Sequence, residues 1–314
     1  MTARVAVVLP GESGAFAGLA NPWLADDAAR AVFDEASAVI GRDVVDWWHD
    51  PLNLVDASAA HLAVVVTGVA GYRSLTAAGV RPVVVAGHGV GEYGALVAAG
   101  ALRLDQVVEL VHWRGDLLAL SPRPSCAGMA AVIGPDAADV ARAAVARSTT
   151  AGALAVACVD GPRQVVLSGS REELTRARAQ VVAAGLEMVR LPGRDACHGP
   201  LMASVAAHLE EALADLVWST PELPVVSNVD GRASRDPQRL ADCLRAHLTA
   251  PVQWEATSRA LADAGVTEVL EVGSAPVLGP LIRQVHPELP VRLVAGPGTP
   301  TRSPEPSLAG SAPS

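Results

Sequence analysis

The sequence predicts an α/β protein that has a larger core and a small subdomain inserted into it. The chain has 314 residues, half of them hydrophobic, which is enough for one large domain or two closely joined ones. Over the first hundred residues, apolar strand patterns alternate with helical patterns, which is typical of a sheet covered by helices. From residue 129 the pattern changes to the order β-α-β-β-α-β, which indicates a separate small unit.

The predicted core contains a strand, a sharp turn and a helix in direct succession. Pro82–Ala86 predicts a buried strand, and Glu92–Ala99 predicts a helix. Between them lies the glycine-rich turn Gly87-His88-Gly89-Val90-Gly91, so the three parts together outline a nucleophile elbow. The other core predictions are a strand over Val5–Leu9, helices over 26–40 and 59–77, and short strands over Pro224–Ser227 and Val269–Val272.

The small unit is predicted from patterns that follow one another without long gaps. They are the strand Met129–Ile133, the helix Pro135–Arg147, the strands Leu154–Cys158 and Gln164–Ser168, the helix Arg171–Ala184 and the strand Glu187–Leu191. This order matches the ferredoxin-like unit, with the turn Asp160-Gly161-Pro162 between its middle strands. We therefore expect a core over residues 1–124 and 193–295 and a small subdomain over 125–192. A disordered tail is expected over 296–314, which is rich in Pro, Ser and Gly.

Composition and charge exclude several classes of protein. All 24 basic residues are Arg, and the net charge of −9 argues against general nucleic-acid binding. No uninterrupted apolar run reaches the ~18 residues of a membrane span, and the N-terminus lacks the layout of a signal peptide. The four cysteines lie far apart without a Cys-x-x-Cys pair, which disfavours zinc and redox motifs. We therefore expect a reduced, cytoplasmic protein without a metal site.

Short motifs occur in a fixed order from about Val5 to Val285. They are Pro10-Gly11-Glu12-Ser13, Gly87-His88-Gly89-Val90-Gly91-Glu92, Trp113-Arg114-Gly115, Gly128-Met129-Ala130-Ala131-Val132, His198-Gly199-Pro200-Leu201-Met202, Ser227-Asn228-Val229, Pro251-Val252-Gln253-Trp254 and Leu270-Glu271-Val272-Gly273. In this order they resemble the motifs of malonyl-CoA:acyl-carrier-protein transacylases and of polyketide synthase acyltransferase domains. One glycine-rich hexapeptide would be weak support for a family, whereas a series of ordered matches is strong support.

The resemblance implies an α/β-hydrolase-like core, a ferredoxin-like small subdomain and an acyl site in the cleft between them. In such enzymes an elbow Ser attacks a thioester while a His acts as general base. Two backbone N–H groups stabilise the oxyanion, and an Arg holds the malonyl carboxylate. The acyl group then passes to a phosphopantetheine thiol.

The resemblance therefore implies a monomer whose partners are malonyl-type acyl-CoA and an acyl carrier protein. Its ligand would be an acyl-CoA or phosphopantetheine thioester, with no bound cofactor.

The resemblance also assigns roles to residues of this sequence. His198 becomes the general base, and Arg114 becomes the residue that binds the carboxylate. The backbone N–H groups of Glu12 and Val90 become the oxyanion donors. The backbone carbonyl near His247 becomes the group that orients His198.

Several positions depart from the family pattern. Gly89 occupies the nucleophile position and has no side chain, so no acyl-enzyme can form there. Glu12 and His61 stand where the family has Gln, and with His88 of the elbow they are expected to line the pocket. The tetrapeptide that ends at His198, Asp195-Ala196-Cys197-His198, matches neither sequence associated with malonyl or methylmalonyl selection. Changes at several neighbouring positions predict an altered site rather than one stray substitution.

Three functions remain open at this point. In the first, the protein binds acyl-CoA or acyl carrier protein without a covalent intermediate, or is inactive. In the second, His198, or Glu12 together with His61, activates water or a thiol for hydrolysis or direct transfer. In the third, the protein is an ordinary transacylase that carries an introduced Gly89. Glycine at this position has a structural explanation too, because it adopts the left-handed angles of a sharp elbow without strain.

Overall fold

The structure is a computed structural model that describes residues 3–120, 127–192 and 195–298, together with the backbone of 301–302. It has a mixed α/β fold with two sheets, as the sequence predicts. The strands are β1 (Val5–Leu9), β2 (Pro82–Gly87), β3 (Ala127–Ile133), β4 (Leu154–Gly161), β5 (Gln164–Ser170), β6 (Glu187–Arg190), β7 (Val225–Val226), β8 (Ala233–Ser234), β9 (Glu268–Val272), β10 (Val291–Val294) and β11 (Thr301–Arg302). The helices are α1 (Asp27–Ile40), α2 (Val44–His49), α3 (Ala57–Ala77), α4 (Gly91–Ala98), α5 (Leu104–Leu120), α6 (Ala137–Ala146), α7 (Arg171–Ala183), α8 (Ala203–Ala214), α9 (Pro237–Ala246), α10 (Trp254–Asp263) and α11 (Leu278–Val285).

The larger sheet has seven strands in the order β11-β10-β9-β1-β2-β7-β8. Its central strand, β1, pairs in parallel with both β2 and β9. Leu9 at the end of β1 lies opposite Gly87 at the end of β2, so the loops that follow these strands leave the same edge side by side. In open α/β sheets, this carboxyl edge is the place where ligands bind.

Helix α3 runs through the interior of the larger unit. It begins after Asp56, whose carboxylate accepts a hydrogen bond from Ser58 N at 3.0 Å. Most of its residues are small or aliphatic, and most of them are buried against α1, α4 and α5. His61 in its second turn is therefore held in the interior by a helix that is packed on every side.

Helices α3 and α5 approach each other closely at Gly115. A Cβ placed on Gly115 would lie 2.2 Å from the Cα of Ser58, which is far shorter than any real contact. Glycine is therefore required here by the backbone of the neighbouring helix. This close approach brings Arg114 of α5 against His61 of α3.

Gly115→Ala is expected to lower the free energy of unfolding by about 1–3 kcal/mol, because the added methyl group must push α5 away from α3. Gly68→Ala is the matched control, since the atoms nearest to a Cβ at position 68 belong to the side chain of Leu9, the nearest of them at 3.4 Å. The control should be neutral or stabilising, because alanine favours a helix over glycine. Chemical denaturation checks both variants, and an unchanged stability of Gly115→Ala would contradict the prediction.

The smaller sheet has four antiparallel strands in the order β4-β5-β3-β6. Helices α6 and α7 pack on it and form a separate apolar cluster with it. Its edge strand β4 is hydrogen-bonded to the larger unit. Val159 N donates to Val252 O, and Val252 N donates to Ala157 O, both at 2.8 Å. The two units are therefore linked through backbone hydrogen bonds.

Most predicted elements lie within two residues of the expected bounds, but α2, α5 and every element after β6 except β7 and β9 are not individually predicted, and two further regions differ. β4 continues to Gly161, so the turn to β5 is made by Pro162 and Arg163. Helix α5 is not among the predicted elements, because the buried Arg114 and Gly115 interrupt its apolar stripe. In the predicted disordered tail, β11 pairs with β10, whereas residues 299–300 and 303–314 lie outside the described residues. None of the helices in the described ranges is long and apolar enough to cross a membrane.

Candidate functional site

Gly89 lies at a sharp turn between the end of β2 and the start of α4. Its φ of +54° is in the left-handed region, which favours glycine. Its N–H donates to Asn228 Oδ1 at 2.9 Å, and its carbonyl accepts a hydrogen bond from His247 Nε2 at 3.0 Å. The turn therefore has the backbone shape of a nucleophile elbow, although no side chain projects from its tip.

His198 faces this tip. A Cβ placed on Gly89 would lie 3.6 Å from His198 Nε2, and no other described residue beyond the chain neighbours of Gly89 has an atom within 4 Å of it. His198 Nδ1 lies 2.9 Å from the carbonyl oxygen of His247, so Nδ1 carries the hydrogen that this carbonyl accepts. Nε2 is therefore the acceptor, and it points to the position of the missing side chain.

The surroundings of His198 keep its ring neutral. Burial lowers the pKa of His198 to about 4, because a charged ring would lose its hydration inside the protein. The hydrogen bond to His247 raises this pKa, and the positive charge of Arg114 lowers it. A neutral Nε2 at pH 7 can accept a proton, which is the property that a general base needs.

Asn228 and Glu92 hold the elbow in place from within the core. Asn228 Nδ2 donates to the carbonyl of Gly87 and to Glu92 Oε2, both at 2.7 Å. Both side chains are buried, and burial raises the pKa of Glu92 to about 7, although hydrogen bonds from Ser227 and Asn228 oppose this shift. The elbow is therefore braced by a buried polar network that leaves little freedom at its tip.

His247 supports the site through its backbone and its ring. Its carbonyl accepts the hydrogen bond of His198, and its ring Nε2 donates to the carbonyl of Gly89. Burial lowers the pKa of His247 well below its ordinary value, and the positive charge of Arg114 acts in the same direction. The ring is therefore neutral at pH 7 and acts as a hydrogen-bond donor to the elbow.

The loop after β1 packs directly against the elbow. A Cβ on Gly11 would lie 2.6 Å from the carbonyl oxygen of His88, so only glycine permits this backbone contact. The contact places the segment with Glu12 next to the segment with Val90. Neither of these two N–H groups donates a hydrogen bond to another described residue. Two such unpaired donors beside an elbow are the groups from which an oxyanion hole is made.

Arg114, His61 and Glu12 form a chain of polar contacts near His198. Arg114 Nη1 donates to His61 Nδ1 at 2.7 Å. His61 Nε2 therefore carries the ring hydrogen, and it lies 3.4 Å from Glu12 Oε2. The side chains of Arg114 and His61 are buried, whereas that of Glu12 is 47% exposed. Both ring nitrogens of His61 are occupied, so this arrangement leaves His61 no free acceptor for a substrate proton.

The protonation states along this chain follow from burial and charge. Burial and the charge of Arg114 lower the pKa of His61, although Glu12 opposes them. Burial raises the pKa of Glu12, but the hydrogen bond to His61 and the positive charge of Arg114 oppose this effect, and the net shift is downward. At pH 7 a neutral ring thus lies between a guanidinium and a carboxylate.

Burial also raises the pKa of Cys197 to about 12, which keeps its thiol protonated and unreactive.

His88 points from the elbow toward the smaller sheet. Its Nε2 lies 2.9 Å from Asp160 Oδ1 of β4, and Gln164 Nε2 donates to the other oxygen of the same carboxylate at 3.0 Å. Among the described residues, His88, Cys158 and Asp160 are one group that could hold a metal ion. Burial raises the pKa of the Cys158 thiol well above its ordinary value, which disfavours the thiolate that a metal needs. His88 and Asp160 therefore form a hydrogen-bonded link between the elbow and the smaller sheet.

The structure brings most of the residues predicted from sequence into two sets of contacts. One set contains Gly89, His198 and His247, and the other contains Arg114, His61 and Glu12. The two sets are near enough for the charge of Arg114 to act on His198, while Val90 lies in the turn itself and His88 faces β4. Sequence reasoning missed Asn228, Glu92 and Asp160 as residues of the site. Asn228 could have been found from its position, because it lies two residues after the short apolar strand β7 and therefore at the carboxyl edge of the sheet.

Comparison with known protein families shows to which family the chain belongs. The model of the acyl transferase domain family matches residues 8–296, which is nearly the whole chain. The chain belongs to the acyl transferase domain family. It is 32% identical over 290 residues to the malonyl CoA-acyl carrier protein transacylase of Salmonella typhimurium, and this alignment covers 90% of the chain and 93% of the relative. The resemblance inferred from the motifs is therefore confirmed.

Solved structures agree with this relationship. The malonyl-CoA:acyl carrier protein transacylase of Xanthomonas oryzae pv. oryzae is 33% identical, with a TM-score of 0.88 and coverage of 95% of this chain and 96% of that chain. A malonyl-transacylase in complex with a type II polyketide synthase acyl-carrier protein is 28% identical, with a TM-score of 0.88 and coverage of 93% and 96%. The mixed α/β fold with two sheets is therefore that of the malonyl transacylases.

Proposed function

We propose that this protein is an acyltransferase homologue of polyketide or fatty-acid biosynthesis that binds an acyl thioester without forming an acyl-enzyme. The observation that carries the proposal is Gly89. Its backbone forms the elbow and His198 Nε2 lies 3.6 Å from where its Cβ would be, but there is no nucleophile between them. A thioester can bind in such a site, whereas the covalent step that needs a hydroxyl oxygen is missing.

The ligand is an acyl-CoA or an acylated phosphopantetheine arm, and the macromolecular partner is an acyl carrier protein. The relatives named as malonyl CoA-acyl carrier protein transacylases support this choice, as does the related transacylase in complex with its carrier protein. The N–H groups of Glu12 and Val90 would receive the thioester carbonyl. The protein needs no resident cofactor for this binding, and it works as a cytoplasmic monomer.

The finer description of the fold belongs to the same proposal. An α/β-hydrolase-like core is supported by the parallel strands β9, β1, β2 and β7 and by the sharp turn that follows β2. A ferredoxin-like subdomain is supported by the chain order β3-α6-β4-β5-α7-β6 and by the antiparallel order β4-β5-β3-β6.

Calorimetric titration with acyl-CoAs and with acylated carrier protein tests the proposal. We expect saturable binding of at least one thioester. The intact protein should gain no mass after long incubation with that ligand, because no side chain at position 89 can take the acyl group. Absence of binding to every acyl-CoA and to the acylated carrier protein would overturn the proposal. A stable acyl adduct on the unchanged protein would overturn it as well.

A second candidate function is favoured by the neutral His198 and the space in front of it. A water molecule at the position of the missing side chain could attack the thioester carbonyl as His198 Nε2 takes its proton. A C–O bond forms, the C–S bond breaks, and the leaving thiolate takes the proton back from His198. A carrier-protein thiol could attack in the same way, forming a new C–S bond. Thiol release from acyl-CoA that His198→Ala abolishes would support this candidate, and release unaffected by that change would remove it.

A further inference from the structure

Arg114 is a buried cation whose hydrogen-bond donors are only partly satisfied. The residue is 2% exposed, and its Nε–H has no hydrogen-bond partner among the described residues. No carboxylate oxygen in that part of the chain lies within 4.0 Å of its guanidinium. Its charge lowers the pKa of His198, so the guanidinium lies near the elbow. Because a buried donor without a partner is costly, a ligand that brings an acceptor would find Arg114 ready to bind it.

His61 is the residue that holds this guanidinium in place. Arg114 Nη1 donates to His61 Nδ1 at 2.7 Å, and the ring of His61 is itself buried in helix α3. Burial, together with the charge of Arg114, lowers the pKa of His61, so the ring is neutral at pH 7 and its Nδ1 can accept. The ring therefore binds the guanidinium without neutralising its charge.

Glu12 fixes which ring nitrogen of His61 is the acceptor. Its Oε2 lies 3.4 Å from His61 Nε2, so the ring hydrogen is on Nε2 and the lone pair of Nδ1 faces Arg114. The Glu12 side chain is 47% exposed, so solvent screens its charge more than it screens the buried guanidinium. Arg114 therefore keeps its attraction for an anionic group.

The unpaired Nε of Arg114 lies on a different edge of the guanidinium from the nitrogen that His61 binds. In an arginine side chain, Nε–H and one N–H of Nη2 point the same way and make a fork that matches a carboxylate. Nη1 is not part of that fork. The contact with His61 thus fixes the guanidinium plane and does not use this fork.

We propose that His61 is a positioning residue, which holds Arg114 through Nη1 so that the edge with Nε faces the carboxylate of a malonyl-type acyl group. This inference rests on the proposed function, because it concerns the same thioester site and the malonyl-type ligand that the resemblance implies. Without the ring, the ligand would have to order the arginine side chain as it binds. Ordering one such side chain weakens binding about tenfold.

Calorimetric titration with two ligands of similar shape tests the proposal. Isovaleryl-CoA is the neutral counterpart of malonyl-CoA, since two methyl groups replace the carboxylate oxygens. In His61→Leu, malonyl-CoA should bind about tenfold more weakly than to the unchanged protein, while the affinity for isovaleryl-CoA should change less than about twofold. His61→Asn should restore malonyl-CoA binding to within about threefold, because the amide oxygen of asparagine takes the place of the ring Nδ1 as acceptor.

Ser58→Ala is the matched control. Ser58 lies one turn before His61 on α3, is buried, and also forms a hydrogen bond to α5, where its Oγ lies 2.5 Å from His112 Nδ1. Its replacement removes a contact between the same two helices without touching Arg114, so both affinities should stay within about twofold. If His61→Leu does not fold, His61→Ala replaces it in the comparison with His61→Asn, because water can then solvate the guanidinium.

Three results would overturn the positioning role while leaving acyl-thioester binding intact. They are an equal effect of His61→Leu on both ligands, an unchanged affinity for malonyl-CoA, and a failure of His61→Asn to restore it. An equal loss in Ser58→Ala would overturn it as well, since the packing of α3 on α5 would then explain the effect. If no acyl-CoA and no acylated carrier protein bound to any of these proteins, the proposed function itself would fail, and the positioning role would fail with it.

Discussion

Gly89→Ser is expected to turn a protein that only binds acyl thioesters into one that is acylated by them. The Cβ of the new serine would lie 3.6 Å from His198 Nε2, so its hydroxyl would come within hydrogen-bonding reach of a neutral acceptor. The N–H groups of Glu12 and Val90 carry no other hydrogen bond among the described residues and can receive the oxyanion. Mass spectrometry of the intact protein after incubation with acyl-CoA should show the added mass of one acyl group.

Gly89→Ala is the matched control for this experiment. Both side chains meet the same unfavourable φ of +54°, so both variants should lose a similar amount of stability, about 1–2 kcal/mol. Only the serine variant can form an ester. A folded Gly89→Ser protein that binds the thioester and stays unlabelled would show that the remaining groups cannot support acyl transfer. A labelled protein that also passes its acyl group rapidly to a carrier protein would support the third hypothesis, an ordinary transacylase with an introduced glycine.

His198→Ala in the Gly89→Ser background is expected to slow acylation about 10²–10⁴-fold, because no other free imidazole acceptor faces position 89 among the described residues. The pH dependence should report the buried ring. With a pKa of about 4, His198 is neutral from pH 8 down to about pH 5, so the acylation rate should be constant there. Below that range the ring becomes protonated, and the rate should fall. Rapid mixing with acyl-CoA at a series of pH values measures both effects.

His88→Asn in the same background is the matched control for the histidine. His88 belongs to the elbow, but its Nε2 is engaged by Asp160 of β4 and does not face the acyl position. Its replacement should slow acylation by less than tenfold, through a small shift of the elbow. Equal losses for the two histidines would contradict the assignment of His198 as base. A rate that falls with a midpoint near pH 6.5 would show that the ring of His198 is hydrated rather than buried.

The sharp turn after β2 and the elements of the smaller sheet could be predicted because their signals are local. Gly87–Gly91 follows a short apolar run and precedes a helix, and these features are visible within twenty residues of sequence. The order β3-α6-β4-β5-α7-β6 is likewise a succession of local periodicities. Helix α5 was not predicted because the polar Arg114 and the small Gly115 interrupt the apolar pattern of its buried face. Both residues are explained by their contacts with α3, which the sequence of α5 does not show.

The bracing of the elbow could not be predicted in the same way. Asn228 and Glu92 are separated by 136 positions, and their hydrogen bond exists because β7 and β2 are neighbours in the larger sheet. Nothing near Asn228 in the sequence shows that its amide reaches the carbonyl of Gly87. A buried polar network of this kind depends on strand order, which the local pattern of either segment does not contain.

The sequence by itself determined the family and the lack of a side chain at Gly89, because motif order and residue type are properties of the chain alone. The tertiary structure decided what the remaining polar residues do. Arg114, His61 and Glu12 come from α5, α3 and the loop after β1, and only their packing makes them one chain of contacts. The low pKa of His198 is also a tertiary property, since burial removes the water that would stabilise the charged ring.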